Sequence, residues 1–331
     1  MATYQGIKGR TVQNLASDPP AAVGTGQVWF NTATDALKTS VGVGAWASGT
    51  TLPTPGSRYS VPGFGILTAG AMVGGYGGTP TDVSETTEYD GTSWSVGGAM
   101  VAQASYSASA GPLTGAFYAG GETPGGNVSA SATYDGTSWT AVGALVDGAR
   151  KLGANQSAGN ATAGLVYGGF PANTTSEELD GTSWAAGNDL NTPRTISAGG
   201  GTQTDAFAAA GGYPAVVDTT ETYDGTTWTA GNPVNTARRG NMGSAGTSSA
   251  SSGFFAGGIE YPPSVNFSTK SEEFDGTSWA AMPAIATARS NGAAFGTKTA
   301  GVLAGGSPGP TETSAVEEFT LADTVQTITS T

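Results

Sequence analysis

The residues of this chain that could carry acid–base chemistry are glutamate pairs that recur along the sequence. The pairs are Glu85/Glu88, Glu177/Glu178, Glu272/Glu273 and Glu317/Glu318. Glycoside cleavage needs two carboxyl groups about 5–10 Å apart, so each pair is chemically suited to it. Because the pairs recur at one position of a repeated pattern, a solvated strand face explains them better than an active site does.

A second set of candidate residues consists of arginines that follow a tryptophan by 10 to 12 residues. They are Arg58, Arg150, Arg194, Arg238 and Arg289, and the corresponding position after Trp94 holds Ala104. A guanidinium group can bind the carboxylate or hydroxyl groups of a ligand. It can equally pair with neighbouring carboxylates, such as Glu178, Glu221 or Glu273, and tie one repeat to the next. The sequence leaves both interpretations open.

Composition excludes several other kinds of chemistry. The chain of 331 residues has no His and no Cys, which removes thiolate zinc sites, cysteine nucleophiles and the Ser/His/Asp arrangement. A net charge of −13 opposes binding to nucleic acid. No apolar run is long enough for a membrane span, and no secretion signal is recognisable. We expect no cofactor and no metal.

Internal repeats predict the fold. The hexapeptide YDGTSW (89–94) recurs with small changes, and its tryptophans are 45, 45, 44 and 51 residues apart. Apolar runs that end in two glycines alternate with it, at 72–75, 117–121, 165–169, 207–212, 254–258 and 301–306. The repeated pairs of aspartate and tryptophan are Asp90 and Trp94, Asp135 and Trp139, Asp180 and Trp184, Asp224 and Trp228, and Asp275 and Trp279.

Each repeat of about 45 residues contains four short strand patterns separated by turn residues. Four strands repeated about six times are typical of a β-propeller, so we predict an all-β, six-bladed propeller of four-stranded antiparallel blades. Asp-Gly predicts a tight turn between the third and fourth strands. The flanking aromatic residues are expected to fill the wedge between blades. One Asp per distant blade does not supply the six to eight oxygens of a calcium site.

The ordered markers GlyGly, aromatic-Asp-Gly and Trp resemble the kelch repeat over roughly residues 50–320. The resemblance implies a kelch-type propeller. Sialidase-like Asp-boxes place a residue between Asp and Gly, whereas Asp90 and Gly91 are adjacent. Kelch-type copper oxidases need histidine ligands and a cysteine-modified tyrosine, which this chain lacks.

Ring closure has two candidate strands. The stretch 26–46 ends in Trp46 and has the pattern of the third and fourth strands of a blade. We expect the segment at 45–48 to complete the last blade, but residues 324–331 alternate like a strand and could fill the same position. We predict an N-terminal arm and hairpin over 1–36 and the propeller over 37–331.

Residues 16–38, ASDPPAAVGTGQVWFNTATDALK, resemble a short module near the N-termini of tailed-bacteriophage virion proteins. The resemblance implies a virion structural protein, made in the host cytoplasm, that contacts other virion proteins through this arm. The alternative is that residues 1–25 form an extended leader with no partner, since chain termini are often poorly ordered.

Variable loops on one propeller face are the predicted recognition surface. They carry Tyr76, Phe170, Tyr213, Tyr261 and Phe267, and aromatic loops on a rigid scaffold suit recognition. The favoured hypothesis is a non-enzymatic tail fibre, appendage or capsid-decorating protein that binds a host receptor, glycan or protein. The alternatives are a carbohydrate-active lyase or hydrolase and a cytoplasmic kelch adaptor.

Overall fold

Short runs of small and apolar residues, separated by glycine-rich turns, form β-strands throughout this chain. The structure is a computed structural model, and it describes residues 12–19, 27–53, 58–77, 82–153, 156–212, 215–240, 242–243, 249–261 and 264–328. Two compact units are present: residues 46–319, and residues 1–45 together with 320–331. Within the described ranges, no helix is long and apolar enough to cross a bilayer.

In the smaller unit, short strands from the N-terminal region pair side by side. These strands are β1 (Gln13–Leu15), β2 (Val28–Asn31) and the first part of β3 (Ala36–Ser48). β1 is parallel to β2, and β2 is antiparallel to β3. Asp18 Oδ1 accepts hydrogen bonds from Asn31 Nδ2 (2.6 Å) and Trp29 Nε1 (3.1 Å). These bonds lower the pKa of Asp18 and join β2 to the segment after β1.

In the larger unit, each repeat forms one blade whose four strands follow chain order. Blade I has β4 (Gly63–Ile66), β5 (Ala69–Val73), β6 (Thr86–Tyr89) and β7 (Trp94–Val96). Blade II has β8 (Ala108–Ala110), β9 (Ala116–Ala119), a small hairpin of β10 (Glu122–Thr123) and β11 (Gly126–Asn127), then β12 (Ser131–Tyr134) and β13 (Trp139–Val142). Blade III has β14 (Ser157–Asn160), β15 (Ala163–Tyr167), β16 (Ser176–Leu179) and β17 (Trp184–Ala186).

The remaining blades keep this order. Blade IV has β18 (Ala198–Thr202), β19 (Asp205–Ala209), β20 (Thr220–Tyr223) and β21 (Trp228–Gly231). Blade V has β22 (Met242–Gly243), a 3-10 turn (Ala250–Ser252), β23 (Phe254–Ala256), a hairpin of β24 (Ile259–Glu260) and β25 (Asn266–Phe267), then β26 (Ser271–Phe274) and β27 (Trp279–Met282). Blade VI has β28 (Ala293–Thr297), β29 (Ala300–Ala304), the start of β30 (Val316–Thr327) and the end of β3.

The first strands of the blades contact one another in turn, and β28 contacts β4, so the ring is closed. The predicted six-bladed propeller is confirmed. Trp46 lies in the fourth-strand position of blade VI, where its ring packs against Phe254 and Phe319. Residues 26–46 do not supply both outer strands of that blade, because β2 pairs with β3 and the third strand is β30. Residues 324–327 belong to the smaller unit.

The Asp-Gly turns have one shared structure that explains their repetition. In the first, Asp90 Oδ1 accepts hydrogen bonds from the amides of Thr92 and Ser93, and Gly91 has φ +92°. The strands meet at the pair Tyr89 and Trp94, so the turn has four residues and only its glycine is left-handed. The same bonds form at Asp135, Asp180, Asp224 and Asp275.

Blades are joined to one another by their aromatic residues. Each tryptophan of the blades packs between two neighbouring blades, against an aromatic ring of the preceding blade or of its own blade. Trp139, for example, packs against Phe64 and Tyr134. Indole N–H groups donate to hydroxyls of the preceding blade, in the pairs Trp139 with Thr86, Trp184 with Ser131, Trp279 with Thr220 and Trp46 with Ser271. Tyrosine hydroxyls donate similarly to glutamates of the preceding blade, in the pairs Tyr89 with Glu318, Tyr134 with Glu88 and Tyr223 with Glu178.

The axis of the propeller is lined by a ring of backbone hydrogen bonds between the linkers that enter successive blades. In this ring, the amide of each link donates to the carbonyl of the preceding one: Tyr106 to Ser60 (2.9 Å), Gly153 to Tyr106 (3.1 Å), Gly240 to Ile196 (3.0 Å), Asn291 to Gly240 (2.9 Å) and Ser60 to Asn291 (2.6 Å). The side-chain oxygen of Gln156 accepts from the Ile196 amide and completes the ring. The six donors named here have a positive φ.

Candidate functional site

One face of the propeller carries the connections from second to third strands and the linkers between blades; we call it the loop face. Of the predicted aromatic residues there, Phe170 is 39% exposed and Tyr261 is 36% exposed. Tyr76 and Phe267 are half-buried, and Tyr213 lies outside the described residues. The opposite face carries the five Asp-Gly turns, which have the same structure in each blade. The two faces therefore differ: one repeats a single type of turn, and the other carries connections that vary from blade to blade.

Tyr76 does not stand alone on the loop face. Its ring packs against that of Tyr59 with centroids 5.1 Å apart, and its backbone forms bridges with Tyr59 and Asp82. Burial, and the nearby hydroxyls of Tyr106 and Tyr76, raise the pKa of Tyr59 to about 12. Burial also raises the pKa of Asp82, against the opposing hydrogen bond from Ser105.

A second aromatic group surrounds Lys151. Its ammonium group lies 5.2 Å from the ring centroid of Tyr106 and 5.8 Å from that of Phe170. It also pairs with Glu122 at 2.6 Å. Cation–π contacts of this kind hold a lysine and two rings in a fixed arrangement. The group borders a cavity of about 210 Å³.

The third group lies at the β24/β25 hairpin of blade V. Arg239 has its guanidinium carbon 5.8 Å from the ring centroid of Tyr261. Glu260 accepts hydrogen bonds from Ser268 (2.8 Å) and Lys270 (3.2 Å). Burial alone would raise the pKa of Glu260, but these two bonds and the positive charges of Lys270 and Arg238 together lower that pKa. Tyr261 and Phe267 are therefore presented by an internally braced hairpin.

The five repeated arginines are placed inside the propeller and not on the loop face. Arg194, Arg238 and Arg289 are 0% exposed. Each of the five pairs with a glutamate within 3.0 Å: Arg58 with Glu85, Arg150 with Glu177, Arg194 with Glu221, Arg238 with Glu272 and Arg289 with Glu317. This geometry agrees with the interpretation that the arginines tie one repeat to the next, because a buried guanidinium cannot reach a ligand. We exclude these arginines from the candidate site.

Each arginine links two blades, as Arg150 illustrates. Its carbonyl accepts a hydrogen bond from Gly121 of blade II (2.9 Å), and its guanidinium pairs with Glu177 of blade III (2.5 Å). Glu177 also accepts from the Val146 amide at 2.6 Å, so it fixes the linker at two points. Glu221, Glu272 and Glu317 accept from linker amides in the same way. These glutamates are structural, and their burial corrects the expectation of a solvated strand face.

Several residues of the loop face were not singled out in the sequence. Tyr59, Tyr106 and Lys151 lie one or two positions after the repeated arginine, or after Ala104, which replaces it. This shared position relative to the repeated arginine is the sequence signal that identifies them. Among the described residues there is no group of three or more carboxylates, histidines or cysteines that could hold a metal ion.

Comparison with known proteins does not extend these observations. The chain matches no protein-family model and no curated protein. Fold and site geometry are therefore the basis for assigning a role.

Proposed function

We propose that this chain is a non-enzymatic structural protein of a tailed-phage particle, and that its kelch-type propeller presents the loop face to a receptor, glycan or protein. It would be a tail fibre, an appendage or a capsid-decorating component. The observation that carries the binding role is the contrast between the two faces. One repeats the same Asp-Gly turn, and the other displays three different aromatic groups on rigid loops.

The charged groups favour binding over hydrolysis. Glu177, Glu221 and Glu272 are each bound to a buried arginine. Glu88 and Glu178 accept hydrogen bonds from tyrosines of the next blade. A glycosidase needs one carboxyl that donates a proton and a second that attacks or activates water. Carboxylates held in structural bonds of this kind are poorly suited to either task.

The N-terminal segment supports a place in a particle. The residues that resemble phage virion modules include Asp18, Trp29 and Asn31, and the side chains of Trp29 and Asn31 both donate hydrogen bonds to the Asp18 carboxylate. A segment with its own hydrogen-bond network is better suited to attachment than a leader without structure would be. We propose that this segment contacts other virion proteins, while the propeller faces the host surface.

The test has one arm for each half of the proposal. Mass spectrometry of purified virus-like particles from the source sample should find this chain in the particle fraction. The labelled full chain should bind host cells, and a Phe170→Ala/Tyr261→Ala variant should bind at least fivefold more weakly. Thr182→Ala, on the opposite face, should bind like the wild type. A chain found only among soluble cell proteins, or equal loss of binding in both variants, would contradict the proposal.

A further inference from the structure

The cavity beside Lys151 is built by three consecutive blades of the loop face. We call it the Lys151 cavity. Its volume is about 210 Å³, below the roughly 300 Å³ at which pockets for drug-sized ligands begin. It therefore suits one small ring rather than an extended ligand. It is lined by Tyr106, Lys151, Gly153, Phe170, Thr195 and Ile196.

Thr195 supplies a polar group with no described partner. Its side-chain hydroxyl is buried, and no hydrogen bond to it is formed by the described residues. A buried hydroxyl without a partner destabilises a fold by about 1–3 kcal/mol. The next blades place Arg239 and Ser290 at this linker position. Thr195 is 0% exposed, so it forms part of the cavity wall and is not itself a contact for a ligand.

Ile196 lines the same cavity at a conformational cost. It has φ +54°, a left-handed conformation that is a true outlier for a β-branched residue. The equivalent ring positions hold Ser60, Tyr106, Gly240 and Asn291, and only Ile196 is β-branched among these. Strain of this kind costs about 1–3 kcal/mol and clusters at binding sites. An apolar side chain is therefore held against the cavity despite the penalty.

The charged groups around the cavity indicate which kind of small ring it can bind. Lys151 is already paired with Glu122, and Asp82 lies close enough to influence the same group. The whole chain has a net charge of −13, which repels anions. A ligand carboxylate would have to compete with Glu122 for the one ammonium group of the cavity. A neutral ring with several hydroxyls instead uses this pair as it stands, since the ammonium donates and the carboxylate accepts.

We propose that the Lys151 cavity binds one neutral pyranose residue of a glycan. The apolar face of the sugar packs against the rings of Tyr106 or Phe170 and against Ile196. Its hydroxyls bond to the Lys151 ammonium group, which lines the cavity, and to the Glu122 carboxylate beside it. This inference rests on the proposed function, because it names the ligand class and the site on the loop face.

The experiment is ligand-observed NMR on the full chain with a panel of methyl glycosides: glucose, galactose, mannose and N-acetylglucosamine as neutral probes, and glucuronate as the acidic probe. At least one neutral glycoside should bind, and glucuronate should bind at least fivefold more weakly than that glycoside. Phe170→Ala removes one of the two aromatic rings of the cavity and should weaken binding about fivefold. Ile196→Gly should weaken it about tenfold.

Stability measurements on the same variants separate binding from misfolding. Phe170 is 39% exposed, and Ile196→Gly removes an unfavourable backbone conformation, so the melting temperature of both variants should stay close to that of the wild type or rise while affinity falls. Thr182→Ala, on the opposite face, should leave binding of the glycoside unchanged. If no neutral glycoside binds, if glucuronate binds best, or if Phe170→Ala and Ile196→Gly bind as the wild type does, the inference is wrong. If the full chain still binds host cells in that event, the proposed function stands without it.

Discussion

Ala104 and Ala132 lie in the same buried cluster. They belong to blade II, whereas in each of the other five blades a linker arginine forms an ion pair with a glutamate of the blade. In blades III to VI the third strand has a glutamate at the position of Ala132, and the preceding linker has an arginine at the position of Ala104. Both partners are missing together in blade II. This is physically consistent, because one buried charge without the other is strongly unfavourable.

Introducing one charge into blade II should therefore destabilise the protein, and introducing both should restore it. We expect Ala132→Glu to lower the free energy of unfolding by about 3–5 kcal/mol. Adding Ala104→Arg should recover about 1–3 kcal/mol as a favourable coupling. Urea unfolding of the four proteins of this cycle measures both. Thr133→Glu is the control for an added carboxylate, since Glu178 occupies that position in blade III. A double variant that is no more stable than Ala132→Glu alone would contradict the proposed pairing of the two side chains.

The aspartate turns should make the protein sensitive to acid. Hydrogen bonds from the Ser183 and Thr182 amides lower the pKa of Asp180 to about 2, and the other four turn aspartates shift in the same direction. A pKa that is lower in the folded state stabilises the fold above the unfolded value of 3.8. That contribution is lost as the pH falls from about 4 to about 2.

Asp180→Asn tests this origin of the acid sensitivity. The amide oxygen can still accept from the Thr182 amide, so the melting temperature at pH 7 should remain close to that of the wild type. The fall in melting temperature between pH 5 and pH 2 should become smaller. Asn127→Ala, at an exposed position with no titratable group, should leave the whole pH profile unchanged. Identical profiles for Asp180→Asn and the wild type would be inconsistent with the turn as the titrating element.

The blade architecture could be predicted from the sequence because its determinants repeat. Asp135 and Trp139 have counterparts at the same positions in four other blades, and the six glycine pairs give the number of blades. The glycine pairs were predictable to within one residue: in blade IV the first left-handed position is Ala210, and Gly211 is the second. The Lys151 cavity was not predictable. Tyr106, Lys151 and Ile196 share the register that follows the repeated arginine, but Phe170 lies in the loop between β15 and β16, and only the three-dimensional structure brings these residues together.

The tyrosine hydroxyls that join neighbouring blades should contribute measurably to stability. Tyr134 donates to Glu88 of blade I, and removing this donor leaves the carboxylate without its partner. A hydrogen bond to a charged group contributes about 1.5–3 kcal/mol, so Tyr134→Phe should lower the free energy of unfolding by that amount. Tyr261→Phe is the control at an exposed loop position. Equal stability of both variants would show that the bond between blades I and II contributes nothing.

The same tyrosine should produce an alkaline transition. Burial and the Glu88 carboxylate raise the pKa of Tyr134 to about 12 from an ordinary value of 10.0. A raised pKa in the folded state means that the contribution is complete below pH 10 and is lost as the pH rises from about 10 to about 12. Unfolding measured across that range should be less pH-dependent for Tyr134→Phe than for the wild type. If Tyr134→Phe loses as much stability as the wild type over this pH range, the loss comes from the other tyrosines.

Gly168 should be intolerant of any side chain because of its backbone conformation and its close neighbours. Its φ is +62°, and an added Cβ would lie 2.7 Å from the Arg194 carbonyl oxygen. That oxygen accepts the Gly169 amide at 3.0 Å, which joins blade III to the linker into blade IV. The left-handed conformation alone costs about 1–2 kcal/mol for a residue with a Cβ. Gly168→Ala should therefore lower the free energy of unfolding by at least about 2 kcal/mol.

Gly309→Ala is the matched control for this substitution, because nothing lies within 4 Å of its added Cβ. It should change stability by less than about 0.5 kcal/mol. Hydrogen exchange locates the effect: the Gly169 amide should lose protection in Gly168→Ala, since the carbonyl that it binds must move away from the new methyl group. If exchange at Gly169 is unchanged while stability falls, the cost comes from backbone strain alone, and the contact with Arg194 adds nothing to it.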